Sequence, residues 1–276
     1  MRKLWTGQKN KMEENYLKEA TNPFQYDSEA VNWKREGLKD SPTRRFFWEY
    51  LREHLNVKGK SVLDIGSGMG QLFPLFEEMG ALKIQGVEPS SRNIGVSQKI
   101  YPNVPVFTGT LAQMPETSFY EIITAIMVFE HIGNLGDAFK KINKLLSEGG
   151  RFFLIVADKE YHSTQRFGYK LESQKIGNGE VAIKITRPHG VGVLYDIIRP
   201  LQNYIAAAKE NNFVLENHVE LKPTKNFIKD EPKYVQFKDS PLCHLLIFKK
   251  SRSRRINHNK TVKTINNRRG QIFFAT

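Results

Sequence analysis

The stretch Ser61-Val-Leu-Asp-Ile-Gly-Ser-Gly-Met-Gly70, with Gly86-Val-Glu88-Pro89 after it, decides how the rest of the chain is read. An apolar strand ends in an acid and opens on a glycine-rich turn and then a helix; the next strand ends in a second acid. Glycine lets the backbone take left-handed conformations and approach a bound molecule closely. In open α/β sheets such turns lie at the carboxyl ends of the strands, where ligands collect. Asp64 suits a cationic amine, and Glu88, 24 residues further on, suits the paired hydroxyls of a ribose.

Two other readings of the turn compete. A nicotinamide-dinucleotide site uses G-x-G-x-x-G, with the last glycine opening the helix onto a pyrophosphate. Here the glycines are Gly66, Gly68 and Gly70, and Gln71 stands where that last glycine belongs. Asp64 would repel pyrophosphate while attracting an ammonium. The blander reading is a turn that merely packs helix on strand; the two acids and the downstream elements weigh against it.

Charge is unevenly distributed along the 276 residues. The net charge is +13, yet nine basic and no acidic residues lie from Lys249 onward, so most of the excess belongs to the end of the chain. That segment lacks apolar periodicity and is expected to be a basic disordered tail, either solvated or holding nucleic acid through phosphate contacts. A single cysteine, Cys243, rules out an intramolecular disulfide and four-cysteine metal sites. Its apolar setting, Leu242-Cys-His-Leu-Leu-Ile-Phe248, makes it a buried small residue rather than a nucleophile. No apolar run is long enough to span a bilayer, and the first residues lack a signal-peptide core, so a cytoplasmic location is expected.

Outward from the glycine turn, strands and helices alternate. Helices are expected from Pro42, over Leu72–Met79, near Ile94–Ile100 and over Leu135–Leu146; strands at Lys83–Val87, Val104–Thr108, Glu121–Ile126 and, after a Gly149-Gly150 turn, Arg151–Val156. This alternation implies an α/β, doubly wound, mostly parallel sheet with right-handed crossovers. After Asp158 the pattern changes to an inserted hairpin, Lys170–Ile176 and Val181–Ile185, turning at Asn178-Gly179. A helix around Leu201–Asn211 and two late strands, Val214–Val219 and Leu242–Phe248, follow, the strands joined by a long loop rich in Lys, Pro and Phe.

Several ordered segments together resemble the class I S-adenosylmethionine-dependent methyltransferases. They are the glycine turn with its two acids, Gly109-Thr-Leu-Ala-Gln-Met-Pro115, Met127-Val-Phe-Glu-His131, Leu145-Leu-Ser-Glu-Gly-Gly150 and Arg199-Pro-Leu-Gln-Asn-Tyr204. The resemblance implies a Rossmann-like seven-stranded sheet with a late antiparallel strand pair. It divides the chain into an N-terminal cap (1–40), a methyltransferase domain (41–248) with a lid or substrate insertion at 159–195, and the tail (249–276). It implies S-adenosyl-L-methionine as cofactor, held by Asp64, Gly66, Ser67, Gly68, Gly70 and Glu88, with Thr110 and Leu111 bordering the adenine where the family often has Asp.

The methyl group in this family moves by in-line displacement, where alignment contributes most of the acceleration. For a hydroxyl acceptor a base helps, and His131, with His189 from the inserted segment, is the candidate. Some relatives bind a metal through Glu-x-x-Glu-His; here Met127 stands at the first position, so no metal is expected. The Asn/Asp-Pro-Pro-Tyr motif of base-amino methylation is absent. The leading expectation is methylation of an oxygen or nitrogen of a small molecule, behind a cover of inserted hairpin and N-terminal aromatics. A tRNA or other RNA methyltransferase anchored by the tail, and a noncatalytic cofactor-binding partner, are the alternatives.

Overall fold

The computed structural model describes residues 16–27, 42–188 and 192–251. His189, most of the N-terminal cap and the tail beyond Ser251 lie outside them, so the expectations placed there have no structural counterpart. After a helical turn at 16–20, the order is α1 (Pro42–His54), β1 (Ser61–Ile65), α2 (Phe73–Glu78), β2 (Lys83–Glu88), α3 (Ser91–Ile100), β3 (Val106–Thr108), β4 (Tyr120–Ile126), α4 (Leu135–Leu145) and β5 (Leu146–Ala157). Then come α5 (Lys159–Ser163), β6 (Lys170–Gly177), β7 (Glu180–Thr186), β8 (Val193–Ile198), α6 (Leu201–Glu210), β9 (Phe213–Leu221), α7 (Lys225–Asp230) and β10 (Cys243–Lys250).

The main sheet has seven strands in the order β3-β2-β1-β4-β5-β10-β9. Strands β1 to β5 pair in parallel, while β10 runs antiparallel to both β5 and β9. The order reverses between β1 and β4, and their carboxyl ends place Ile65 and Ile126 at the crevice where such sheets bind ligands. Because side chains alternate across a strand, neighbouring residues go to opposite faces. Leu63, Ile123, Phe152 and Leu246 pack with Phe139 and Ile142 of α4 on one side. Val62, Ile122, Phe153 and Leu245 pack with Leu51 of α1 and Phe76 of α2 on the other. Both faces are covered, which explains the continuous apolar run of β4.

Several boundaries differ from the expectations. Strand β5 starts at Leu146 and runs through Gly149-Gly150 instead of turning there, with the register against β4 slipping between Tyr120 and Ile122. Gly150 is needed at that irregularity: a Cβ would stand 2.9 Å from the carbonyl oxygen of Glu121. The inserted hairpin forms with Asn178 and Gly179 at φ 49° and 73°, the left-handed pair of a tight hairpin turn. It gains a third strand, β8, making a separate antiparallel sheet β6-β7-β8. The long loop before β10 contains α7 and a 3-10 turn, Pro232–Phe237. Strand β10 includes Lys249 and Lys250, which the sequence assigned to the tail; Lys250 Nζ donates to the carbonyl oxygens of Asn143 and Leu146, both at 2.8 Å. Among the described residues no helix is long and apolar enough to cross a membrane.

Candidate active site

The turn after β1 is a set of left-handed glycines: Gly66, Gly68 and Gly70 have φ of 67°, 54° and 83°. Backbone N–H groups of Gly66 and Ser67 donate to the Val87 carbonyl at 2.8 and 3.0 Å, tying the turn to β2. Gly86 on β2 allows the close approach, since a Cβ there would meet Ser67 Oγ at 2.5 Å. Glu88 then clamps the turn from the side: Oε2 accepts from Gly68 N at 2.9 Å, and Oε1 from Ser90 N at 3.0 Å and Asn93 Nδ2 at 3.2 Å. Ser90 is also the N-cap of α3 and accepts from Asn93 N.

Asp64 is buried and accepts the Thr124 hydroxyl at 2.6 Å. Burial, opposed by that hydrogen bond, pushes its carboxyl up to about 7. Burial also raises Glu88. Thr110 is turned toward its own 3-10 turn, with N and Oγ1 at 2.9 and 3.1 Å from Gln113 Oε1. Leu111 is buried beside it. Asp64, Gly66, Ser67, Gly68, Glu88, Thr110, Leu111 and His131 all line one cavity of about 840 Å³. Gly70 does not line it; a Cβ there would strike Phe73 and Tyr101, so this glycine serves the packing beneath the turn.

The same cavity continues away from the glycine turn into an aromatic lobe. Phe46, Phe227, Tyr234 and Phe167 form a chain of ring contacts with centroids 4.8, 4.7 and 4.9 Å apart. Arg166 lies 4.2 Å over the Tyr161 ring and donates to the carbonyls of Tyr161, His162 and Thr164. Beside it, burial and the Arg166 charge push the His162 imidazole down to about 3, so that ring is neutral at physiological pH. Cys243 is buried in the cavity wall, and burial raises its thiol far above the nucleophilic range.

His131 also lines this cavity, from a 3-10 turn after β4 (Phe129–His131). Its Nε2 is 2.7 Å from Tyr26 Oη and 3.7 Å from Asp196 Oδ1; its Nδ1 is 3.1 Å from Gln25 Nε2 and 3.3 Å from the Ala20 carbonyl. Glu130 points inward, with Oε1 accepting from Ala157 N at 2.7 Å and burial pushing its carboxyl up to about 7. Sequence reasoning missed Gln25, Tyr26 and Asp196. They lie about a hundred residues before and 65 after His131, and no local spacing links them. The one signal was compositional, a Phe24-Gln-Tyr26 cluster in a polar segment.

The protein family described as "Methyltransferase domain" matches residues 34–215. The chain belongs to this family. Among curated proteins, this methyltransferase is 28% identical over 131 residues to a ubiquinone biosynthesis O-methyltransferase of Bradyrhizobium, covering 46% of this chain and 51% of that one. The chain thus spans about half the length of the relative it matches. Among solved structures, a putative S-adenosylmethionine-dependent methyltransferase from Listeria monocytogenes has a TM-score of 0.62 at 18% identity, covering 77% of this chain and all of the other. A glycopeptide N-methyltransferase complexed with S-adenosyl-L-methionine has a TM-score of 0.53 at 13% identity, covering 76% and 92%. These likenesses speak to the methyltransferase fold.

Proposed function

We propose that this protein transfers the methyl group of S-adenosyl-L-methionine to an oxygen or nitrogen of a small-molecule acceptor. The observation that carries the reading is one cavity lined at once by Asp64 and Glu88, by the aromatic group and by His131. Its residues fit the cofactor. Ser67 Oγ is buried there without a hydrogen-bond partner, and the glycines keep the floor of the turn bare of side chains. When bound, the cofactor supplies an electrophilic methyl carbon on a sulfonium.

The chain's own residues do the rest. Asp64 holds the amino-acid ammonium in its ionised form, and the turn from Gly66 to Gly68 lies along the same portion. Glu88 Oε2 has accepted one hydrogen bond, which leaves it a lone-pair site for a ribose hydroxyl. Thr110 and Leu111 border the adenine. The aromatic lobe receives the acceptor against apolar walls and excludes water, as ligand pockets of this size commonly do. His131 takes the acceptor's proton. Charges around the cavity are of both signs, with Arg44, Lys141, Arg166 and Arg187 set against Asp64, Glu88, Asp137 and Asp196, which suits a small molecule better than a polyanion.

The test is to add cofactor carrying a labelled methyl group, with the protein, to fractionated cell extract. Label is expected in the solvent-extractable small-molecule fraction. Label confined to RNA, and lost when residues after Ser251 are removed, would overturn the acceptor class. No label in any fraction would overturn the enzymatic reading.

A further inference from the structure

Resting on that reading, we propose that Tyr26 is the residue that meets the acceptor's O–H or N–H, and that His131 takes the proton through Tyr26 rather than directly. The imidazole is already enclosed by protein. Nε2 faces the Tyr26 hydroxyl at 2.7 Å, and Nδ1 faces the Ala20 carbonyl and the Gln25 amide. The two rings stand edge to face, with centroids 5.1 Å apart. An acceptor reaching either nitrogen would first have to displace one of these partners. Tyr26 has no such obstacle. A phenol that donates its one proton still has lone pairs with which to accept another hydrogen bond, and Tyr26 lines the cavity shared with Asp64 and Glu88.

The segment around Tyr26 is built to hold it there. Gln25 Oε1 accepts from Tyr195 N at 3.0 Å, and Gln25 Nε2 donates to the Tyr195 carbonyl at 3.3 Å, pinning the segment to β8. On the other side Asp27 accepts from the Ser90 hydroxyl and, through its carbonyl, from Arg92, pinning it beside Glu88. The residues on either side of Tyr26 are thus fastened to β8 and to the turn after β2.

The proton path balances. The acceptor's O–H or N–H bond breaks and its proton passes to the Tyr26 oxygen as the Tyr26 proton passes to His131 Nε2. The pair left on the acceptor forms the new bond to the methyl carbon, and the carbon–sulfur pair stays on sulfur. His131 ends as an imidazolium 3.7 Å from Asp196. The relay needs the resting proton on Nδ1, donated to Ala20, so that Nε2 is the accepting nitrogen. Asp196, Glu130 and Glu88 raise the cost of a Tyr26 anion and Arg187 lowers it; burial dominates, so Tyr26 stays a phenol and serves as a conduit, not as a standing base.

The experiment compares Tyr26→Phe, His131→Ala and the double variant, with cofactor binding by calorimetry and histidine tautomer by ¹⁵N NMR on the cofactor-free protein. Tyr26→Phe is expected to bind cofactor as the parent does while turnover falls about 10²-fold, the usual scale of general acid–base help. His131→Ala should fall similarly and the double variant no further, because the two act as one unit. The NMR spectrum should show His131 with its proton on Nδ1 in the parent and lose that preference in Tyr26→Phe. Parental turnover in Tyr26→Phe, losses that multiply in the double variant, or an Nε2–H tautomer in the parent would each overturn the relay. So would lost cofactor binding in Tyr26→Phe, which would make Tyr26 a closing contact. If the parent itself transfers no label, the reading beneath falls instead.

Discussion

Arg199 Nη1 donates to the carbonyl oxygen of Phe129 at 2.8 Å, so the residue just after the last strand of the second sheet holds the turn that carries His131. The same guanidinium reaches the Ile132 carbonyl at 2.8 Å and pairs with Glu180 at 3.1 Å, and it is only 2 % exposed. A planar fork meets two carbonyls and a carboxylate at once, which an ammonium cannot do.

Replacing Arg199 by Ala would take a donor from the Phe129 and Ile132 carbonyls and leave Glu180 with only the Asn203 amide. Breaking a buried pair from one side costs about 3–5 kcal/mol. Urea unfolding of Arg199→Ala is expected to show that loss, with Arg199→Lys recovering only part of it. A variant as stable as the parent would mean that the turn is held by other contacts.

On the proposed reading, Asp64 gives cofactor binding a pH dependence. Its carboxyl lies at about 7, raised by burial, so the folded protein holds a proton there that an unfolded chain releases near the ordinary carboxylate value. A group raised in this way favours the folded state at low pH, and the advantage fades as pH rises toward 7. Pairing with an ammonium favours the ionised form. Cofactor binding is therefore expected to strengthen from pH 5.5 to 8, roughly, and to release a proton at the acid end. Calorimetry in buffers of different ionisation enthalpy measures that release, and Asp64→Asn should bind weakly with the release reduced. Proton uptake on binding would contradict the assignment.

Gly66 combines a φ of 67° with Val128 lying across its missing side chain. Gly66→Ala carries the left-handed penalty of roughly 1–2 kcal/mol plus the collision with Val128. Thermal unfolding should show a loss in Gly66→Ala that Val128→Ala partly relieves, because only the collision is removable. Full relief would show that the backbone angle carries no strain.

Asp158 has the opposite sign to Asp64. Burial pushes its carboxyl up, but the hydrogen bonds from His244 at 2.9 Å and Tyr161 N at 2.7 Å overcome it and hold the group below its ordinary value. A lowered carboxyl adds stability above the unfolded pKa of about 4 and loses it as pH falls through the folded value. Asp158 also N-caps α5, worth about 0.5–2 kcal/mol. Asp158→Ala should therefore be less stable than the parent at pH 7, with the gap narrowing at pH 3, roughly an order of magnitude more acid than the free carboxyl. A constant gap would place the stabilisation in packing alone.

Much of the sheet was legible because its signals are local. The run from Ser61 to Gly70, Glu88 at the next strand end and the periodic apolar face of α4 each lie within one element, and each appears where the sequence put it. What failed to show was set by tertiary contact. Gly149-Gly150 reads as a turn but serves as an irregularity inside β5, because glycine marks both equally well. Asp196 interrupts the apolar run of β8, and the partner of that acid, His131, lies 65 residues earlier. The candidate site was half legible for the same reason: Asp64, the glycine turn and Glu88 are one loop and two strand ends, whereas the surroundings of His131 come from segments far apart in the chain.

The position of β10 has a consequence for how the protein is made. It inserts between β5 and β9, so one of the last-synthesised elements of the described fold lies inside the main sheet, and β9 has no other strand neighbour there. Until Cys243–Lys250 has left the ribosome, β5 ends in an open row of backbone donors and acceptors, and β9 has nothing to join. Such edges pair readily with other chains. Nascent chains stalled before Cys243 thus expose the β5 edge to pairing with other chains.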